Sequence, residues 1–355
     1  MTDAAPVFMV GFAPAGFSSQ SGLWPAAREL GAVPLAFEPI WRRFGPYSWR
    51  LAEILKEWGV RHYGSTWSAL LPGWDEGCLR RRMPRRTEPY PVHFIWGEFA
   101  APRRVDPYHR KGARVVVSVH CSARRWDSVW LRPDGYAQAD EVVLTSESQR
   151  PFVAKHVPED RIRTILHGVV ATYFTPPADR EPRAGKYRLL MLGDTERDHA
   201  FAAQVAARLP AERFEWRIRT TSPERSVYAG VPCVNPLPRL TDEEMREEYR
   251  RADVLAMPML DSAANNVLLE SMACGTPVMV NRVGGVPEYV DPACNFLMGA
   301  DRDVEEWVEK LLGLERNRDV AERLRPATRA WAETFDWKLV AEEYRTMYRD
   351  VLGRG

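Results

Sequence analysis

Short apolar runs recur along the chain, each followed by polar or glycine-bearing loop residues. VFMVGF (7–12), VRHYG (60–64), VHFIW (92–96), RVVVSVH (114–120), EVVLTS (141–146) and IRTILHG (162–168) have this form. LWPAARELG (23–31) has a helical pattern, with Ser21 placed to cap it. Strands alternating with helical segments predict a parallel, doubly wound sheet. The pattern then restarts. YRLLMLG (187–193), FEWRIRT (214–220), DVLAMPM (253–259) and TPVMV (276–280) read as strands. HAFAAQVAARL (199–209), TDEEMREEYRRA (241–252) and NVLLESMACG (266–275) read as helices, the last ended by Gly275 at its C′ position. TYFTPPADREPRAGK (172–186) is rich in proline and charge, the composition of a linker. The expectation is α/β: one Rossmann-like domain over residues 1–172, a linker over 173–186 and a second domain over 187–336. FDWKLVAEEYRTMYRDVL (335–352) predicts a long amphipathic last helix, about 337–353. Trp41 to Pro89 shows no clear period.

Composition narrows the class without naming a partner. The 355 residues are 45% hydrophobic and 27% charged with a formal net charge of +1, a globular profile of two-domain length. Charge is unevenly divided: 23 Lys+Arg against 17 Asp+Glu in residues 1–172, and 26 against 31 thereafter. The halves are therefore expected to meet different partners. The opening Met1–Pro6 has neither the basic region nor the apolar core of a signal peptide, and no run of about 18 apolar residues follows. A cytoplasmic protein is expected, with reduced thiols: Cys78, Cys121, Cys233, Cys274 and Cys294 are odd in number and form no CxxC pair.

Chemistry concentrates in NNVLLESMACGTPVMV (265–280). Asn266 and Glu270 are four apart and share a helix face, with Val267, Leu268, Ser271 and Cys274 expected on the core side. A helix N-terminus at Asn265 and Asn266 offers free N–H groups to a phosphate. A carboxylate one turn further could accept from both hydroxyls of a ribose. The ordinary alternative is a capping Asn and a solvated Glu. The surrounding PMLDSAANNVLLESMACGTPVMVNRVGGVPEYV (258–290) resembles the donor-site signature of retaining family-4 glycosyltransferases, which have the GT-B fold. Glu270 falls on the second glutamate of that signature, Gly275 and Pro277 on its Gly-x-Pro, and Gly284 and Gly285 on its Gly-Gly loop. The resemblance continues from about Ala139 to the end of the chain.

The resemblance implies two Rossmann-like domains facing across a cleft, with the last helix crossing back to the first. It implies transfer of a sugar from a nucleoside diphosphate donor to an acceptor with retention of configuration, without metal or resident cofactor. In the family, the loop after the first strand of the second domain, here Gly193 to Asp198, neutralises the diphosphate, and Arg197 stands as its basic residue. Only one basic contact carries over, and the alternative is an Arg–Asp surface pair. The donor-binding set is Gly193, Arg197, Ser262, Asn265, Asn266, Val267 and Glu270; the catalytic set is His120, Arg197 and Glu270. His120 ends a predicted strand where the family places a histidine facing the sugar. Ser262 stands where the family has its first glutamate, so a sugar site built from neutral groups is expected, with Asp261 facing elsewhere. That departure also motivates a catalytically silent scaffold or partner-binding subunit, and a phosphorylase or epimerase shares the fold.

Other motifs are weaker. Gly11 and Gly16 lack dinucleotide spacing, which disfavours a dehydrogenase. Asp301-Arg302-Asp303 precedes a helical pattern, so capping is expected there and no metal site. Arg80, Arg81, Arg82, Arg85 and Arg86 make five arginines within seven residues, near Trp58, Trp67 and Trp74. A solvated loop is the usual reading; peripheral contact with an anionic membrane, or with a charged acceptor, is the functional one. No nucleic-acid partner is expected.

Overall fold

The computed structural model describes residues 6–12, 20, 22–37, 76–100, 102, 104–126, 136–179, 185–220 and 223–354. The expected strand at 60–64, the Ser21 cap, Gly16 and the tryptophans at 58, 67 and 74 lie outside them. The chain forms two compact units, one of residues 1–17, 26–166 and 340–355, the other of residues 18–25 and 167–339.

In the first unit, β1 (Phe8–Phe12), β2 (Val33–Phe37), β3 (Tyr90–Phe94), β4 (Ala113–Val119), β5 (Glu141–Leu144) and β6 (Ile162–Thr164) make one sheet. The order is β2-β1-β3-β4-β5-β6, and every pairing is parallel. Strands buried on both faces read as continuous apolar runs, and β3 is buried at all five positions. In the second unit, β7 (Tyr187–Leu192), β8 (Phe214–Arg219), β9 (Val234–Pro236), β10 (Val254–Ala256), β11 (Val278–Asn281) and β12 (Phe296–Met298) pair in the order β12-β11-β10-β7-β8-β9. Strand order reverses between β7 and β10, and a ligand crevice forms at the carboxyl ends of strands at such a switch point.

The last helix (Trp337–Gly353) starts in the second unit and ends in the first. Trp337 packs so tightly on Gly168 that a Cβ there would lie 2.5 Å from the indole. Further along, Tyr348 meets His93 Nδ1 at 2.6 Å, and His93 Nε2 meets Ser118 Oγ at 2.7 Å. Burial lowers the His93 pKa to about 3, so this network is uncharged.

Two expectations are corrected, and a third feature is located. The first unit ends at Leu166, ahead of residue 172, and the start of the expected linker, Tyr173 to Thr175, is packed within the second unit. Phe174 is fully buried, Arg250 donates to the Thr175 carbonyl at 2.7 Å and Arg329 to the Phe174 carbonyl at 2.6 Å. A proline-rich composition reports poor helix and strand formation, and a packed extended segment satisfies that equally well. The helix Asn266–Ala273 has no solvent face beyond its first turn: Leu268 to Ala273 are all buried, Glu270 among them, whereas Val267 keeps partial exposure. The arginine cluster, finally, lies at the amino edge of the first sheet. Arg86 N donates to the Lys111 carbonyl at 3.1 Å and Tyr90 N to the Gly112 carbonyl at 3.2 Å, just where β3 and β4 begin. β4 has seven residues, and at roughly 3.3 Å each they put about 20 Å between this edge and His120. The cluster and His120 therefore stand at opposite ends of β4.

Candidate functional site

The loops after β7 and β10 flank the switch point of the second sheet, and they are zipped together. Asp198 N donates to the Pro258 carbonyl at 2.9 Å, Leu260 N donates to the Glu196 carbonyl at 2.9 Å, and Arg197 bridges antiparallel to Met259. Glu196 adopts φ 59° to make this turn. Gly193, with φ +95°, leaves room for the Arg197 side chain: a Cβ there would stand 3.1 Å from the guanidinium. That side chain folds back over its own loop. Its Nε donates to the Leu192 carbonyl (3.1 Å), one terminal nitrogen to the Thr195 carbonyl (2.6 Å) and the other to Asn265 Oδ1 (3.2 Å). Three of the five guanidinium N–H donors are thereby used. Burial lowers the Arg197 pKa to about 10, with the charges of Asp194, Glu196 and Glu270 opposing, so it stays cationic at neutral pH. Asp198 is not its partner: that carboxylate caps the helix His199–Arg208 through Phe201 N (3.0 Å) and pairs with Arg302 (2.7 Å).

Asn265 is the N-cap of the helix Asn266–Ala273, its Oδ1 accepting from Val267 N at 3.1 Å as well as from Arg197. One amide oxygen thus joins the helix start to the guanidinium. Asn266 and Val267, both partly exposed, stand on that first turn. Glu270, 3% exposed, accepts the Tyr249 phenol at 2.7 Å. Burial and the Glu270 charge raise the Tyr249 pKa well above its ordinary value, so the phenol remains a donor. Ser262 is 5% exposed. Its amide donates to Asp261 Oδ1 (2.7 Å) and its carbonyl accepts from Gly285 N (2.7 Å), which seats the Gly-Gly loop on the Asp261–Ser262 backbone. Asp303 caps the helix Val304–Arg316 through Glu305 N and Glu306 N.

The structure therefore gathers Gly193, Arg197, Asn265, Asn266 and Val267 at one edge, with Ser262 on the β10 loop and Glu270 one turn along the helix. His120 belongs to the other unit, at the carboxyl end of β4, its ring 4.8 Å from that of Trp96.

Two residues escaped the reading of the sequence. Arg219 ends β8, paired in register with Leu192, and its carbonyl accepts from Gly193 N at 3.0 Å. Alternation along β8 puts it on the half-buried face with Glu215 and Arg217. There Arg188 pairs with Glu215 and Arg217 with Glu248, whereas Arg219 has no carboxylate partner among the described residues. Its position at the end of an alternating run was the available signal. Glu98 is the other, and it stands against His120.

Residues 152–317 match the family model described as glycosyl transferases group 1. The chain is 33% identical over 128 residues to a D-inositol 3-phosphate glycosyltransferase of Saccharomonospora viridis, covering 36% of this chain and 30% of that protein. It is 24% identical over 250 residues to the enzyme of the same name from Corynebacterium kroppenstedtii, covering 61% and 54%. The chain thus spans from under a third to just over half the length of these relatives. Its fold is similar to that of a sucrose-phosphate synthase from Thermosynechococcus elongatus, with a TM-score of 0.71 at 16% identity over 99% of this chain and all of that one. The protein has the GT-B fold, and its residues 152–317 match the group 1 glycosyl transferase domain.

Proposed function

We propose that the protein transfers a sugar from a nucleoside diphosphate donor to an acceptor with retention of configuration. The observation that carries this reading is the zipped edge at the switch point of the second sheet, where Arg197 folds over Gly193 and donates to Asn265 beside a helix start. The diphosphate lies against Arg197 and the first amides of the helix, with Arg219 as a second cation from the neighbouring strand. Glu270 takes the ribose hydroxyls. These groups stabilise charge as the diphosphate departs, and they supply it without metal. Retention follows a front-face route in which the leaving phosphate assists the acceptor hydroxyl. His120 contacts the sugar, and Ser262 and Asn265 present neutral groups to it. A cyclic polyol phosphate heads the acceptor panel, because the relatives' name specifies one.

Calorimetric titration with a nucleoside diphosphate in chelator tests the donor site. Binding is expected without divalent metal, and Glu270→Ala weakens it by roughly 1.5–3 kcal/mol, the range for hydrogen bonds to a charged group. Arg219→Gln weakens the diphosphate about tenfold and leaves the bare nucleoside unaffected. Strict magnesium dependence, or undiminished affinity in Glu270→Ala, contradicts the proposal. Tight nucleotide binding with no turnover of any nucleotide sugar favours the silent scaffold, whereas phosphate-dependent turnover or an epimerised product identifies the enzymatic alternatives.

The exposed Arg81, Arg82, Arg85 and Arg86 give the first unit a basic edge away from His120, suited to the peripheral contact with an anionic membrane. Sedimentation with phosphatidylglycerol vesicles should fall steeply with salt and on reversing these four charges to Glu. Equal sedimentation of the reversed variant refutes that contact.

A further inference from the structure

Glu98 is 5% exposed, and its Oε1 accepts the amides of both His120 and Cys121. Its Oε2 is buried with no hydrogen-bond partner among the described residues. Gly97 makes the reach possible. It sits so close to β4 that a Cβ would lie 2.3 Å from a Val117 methyl and 2.8 Å from the Ser118 carbonyl oxygen. Residue 98 is thereby pressed against the turn where His120 leaves the strand. Gln149 holds the same turn, its amide nitrogen donating to the carbonyls of Val119 (3.0 Å) and Cys121 (2.9 Å). We propose that Glu98 is the positioning residue for His120, and that ionisation of its carboxyl sets how firmly the turn carrying the imidazole is held. The proposal rests on the reading of His120 as the residue that contacts the donor sugar.

Burial raises the Glu98 pKa to about 7, against the pull of the amides it accepts and of Arg125. Among the described residues, Arg125 is the charged group acting on it. His120 and Cys121 are the titratable side chains on the turn it grips, and Gln149 is neutral. With Oε1 occupied by two donors, the proton of the neutral form sits on Oε2. Ionisation makes Oε1 a charge-assisted acceptor, so the grip strengthens as pH rises through about 7. Stability runs the opposite way. The folded-state pKa lies above the ordinary 4.5, so the folded chain holds this proton more tightly than the unfolded one. That contribution is complete below about pH 4.5 and is lost as pH rises through about 7.

The test is amide NMR of the labelled full-length chain across this pH range, with turnover and nucleoside diphosphate affinity measured beside it, for the wild type and Glu98→Gln. Glutamine keeps a neutral carbonyl acceptor of the same shape. The His120 and Cys121 amides should shift together near pH 7 in the wild type, in step with the Glu98 carboxyl, and lose that step in Glu98→Gln. Wild-type kcat should rise along an acid limb with the same midpoint. The variant should lack that limb and run about tenfold slower on the alkaline side, with nucleotide affinity unchanged. Amides that do not titrate near 7, a variant that keeps the wild-type limb, or loss of nucleotide affinity overturns the proposal. The side-chain carboxyl 13C shift of Glu98, followed across the same range, separates its titration from that of an imidazole and decides the first point even where the variant does not fold. A wild type that turns over no nucleotide sugar, yet shows the amide titration, sinks the transfer reading and leaves the grip on His120 standing.

Discussion

Gly284→Ala should lower the unfolding free energy by roughly 2–5 kcal/mol and weaken nucleoside diphosphate binding with it. The residue adopts φ +47°, and a Cβ there would lie 2.2 Å from both Asp261 Oδ1 and the Ser262 carbonyl oxygen, and 3.0 Å from Ser262 N. Backbone strain and overlap therefore act at once. Two of the three close atoms are main chain, so no rotamer change relieves them. The loop must lift, and in lifting it breaks the bond from Gly285 N to the Ser262 carbonyl. Ser262 and Asn265 belong to one short connection after β10, so displacement of its first half reaches the helix cap that holds Arg197. Urea denaturation gives the stability change and calorimetry the affinity. An unchanged midpoint together with unchanged affinity refutes this account of the Gly-Gly loop.

Arg325→Ala should cost more stability, about 3–5 kcal/mol, and leave the nucleotide affinity of the folded fraction close to wild type. The side chain is 9% exposed on the helix Asp319–Glu333. It donates to the carbonyls of Gly275 (3.1 Å), Ala252 (2.7 Å) and Asp253 (3.3 Å) and to Thr276 Oγ1 (3.0 Å). Ala252 is the C-cap of the helix Asp242–Arg251, and Gly275 follows the C-cap of the helix Asn266–Ala273. A single guanidinium therefore caps two helix C-termini, where a cation is electrostatically favoured and orphan carbonyls need donors. Truncation leaves those carbonyls buried and unpaired. The comparison of the two variants is informative in itself: Gly284→Ala couples stability to ligand affinity, whereas Arg325→Ala should separate them. A midpoint shift of less than about 1 kcal/mol in Arg325→Ala contradicts the capping role.

The sequence by itself determined what depends on neighbours along the chain. Apolar period and punctuation placed four of the six strands of the second unit and the helices His199–Arg208, Asp242–Arg251 and Asn266–Ala273. Gly275 ends its helix in the left-handed conformation with φ +73°, and Asp303 caps its helix as its place before VEEWVEKLL implies. The spacing from Asn266 to Glu270 and on to the Gly-Gly loop carried the family resemblance, because a parallel-sheet edge builds its ligand site from one helix start and the loops beside it. Only the tertiary structure decided what depends on residues far apart in the chain. It put the Tyr249 phenol on Glu270 from 21 positions away, so a carboxylate expected on a helix surface is buried. It brought Glu98 to the amides of His120 and Cys121, 22 and 23 positions on, through a close approach that only the missing Cβ of Gly97 allows. It sorted Arg217 from Arg219, chemically alike and two apart, by giving Glu248 to the first and no carboxylate among the described residues to the second. And it packed Phe174 where proline and charge suggested a linker. Propensity and periodicity are local free energies, legible in a window of a few residues. Which polar group is desolvated, and by whom, is set by chain closure over long separations, and no local window contains it.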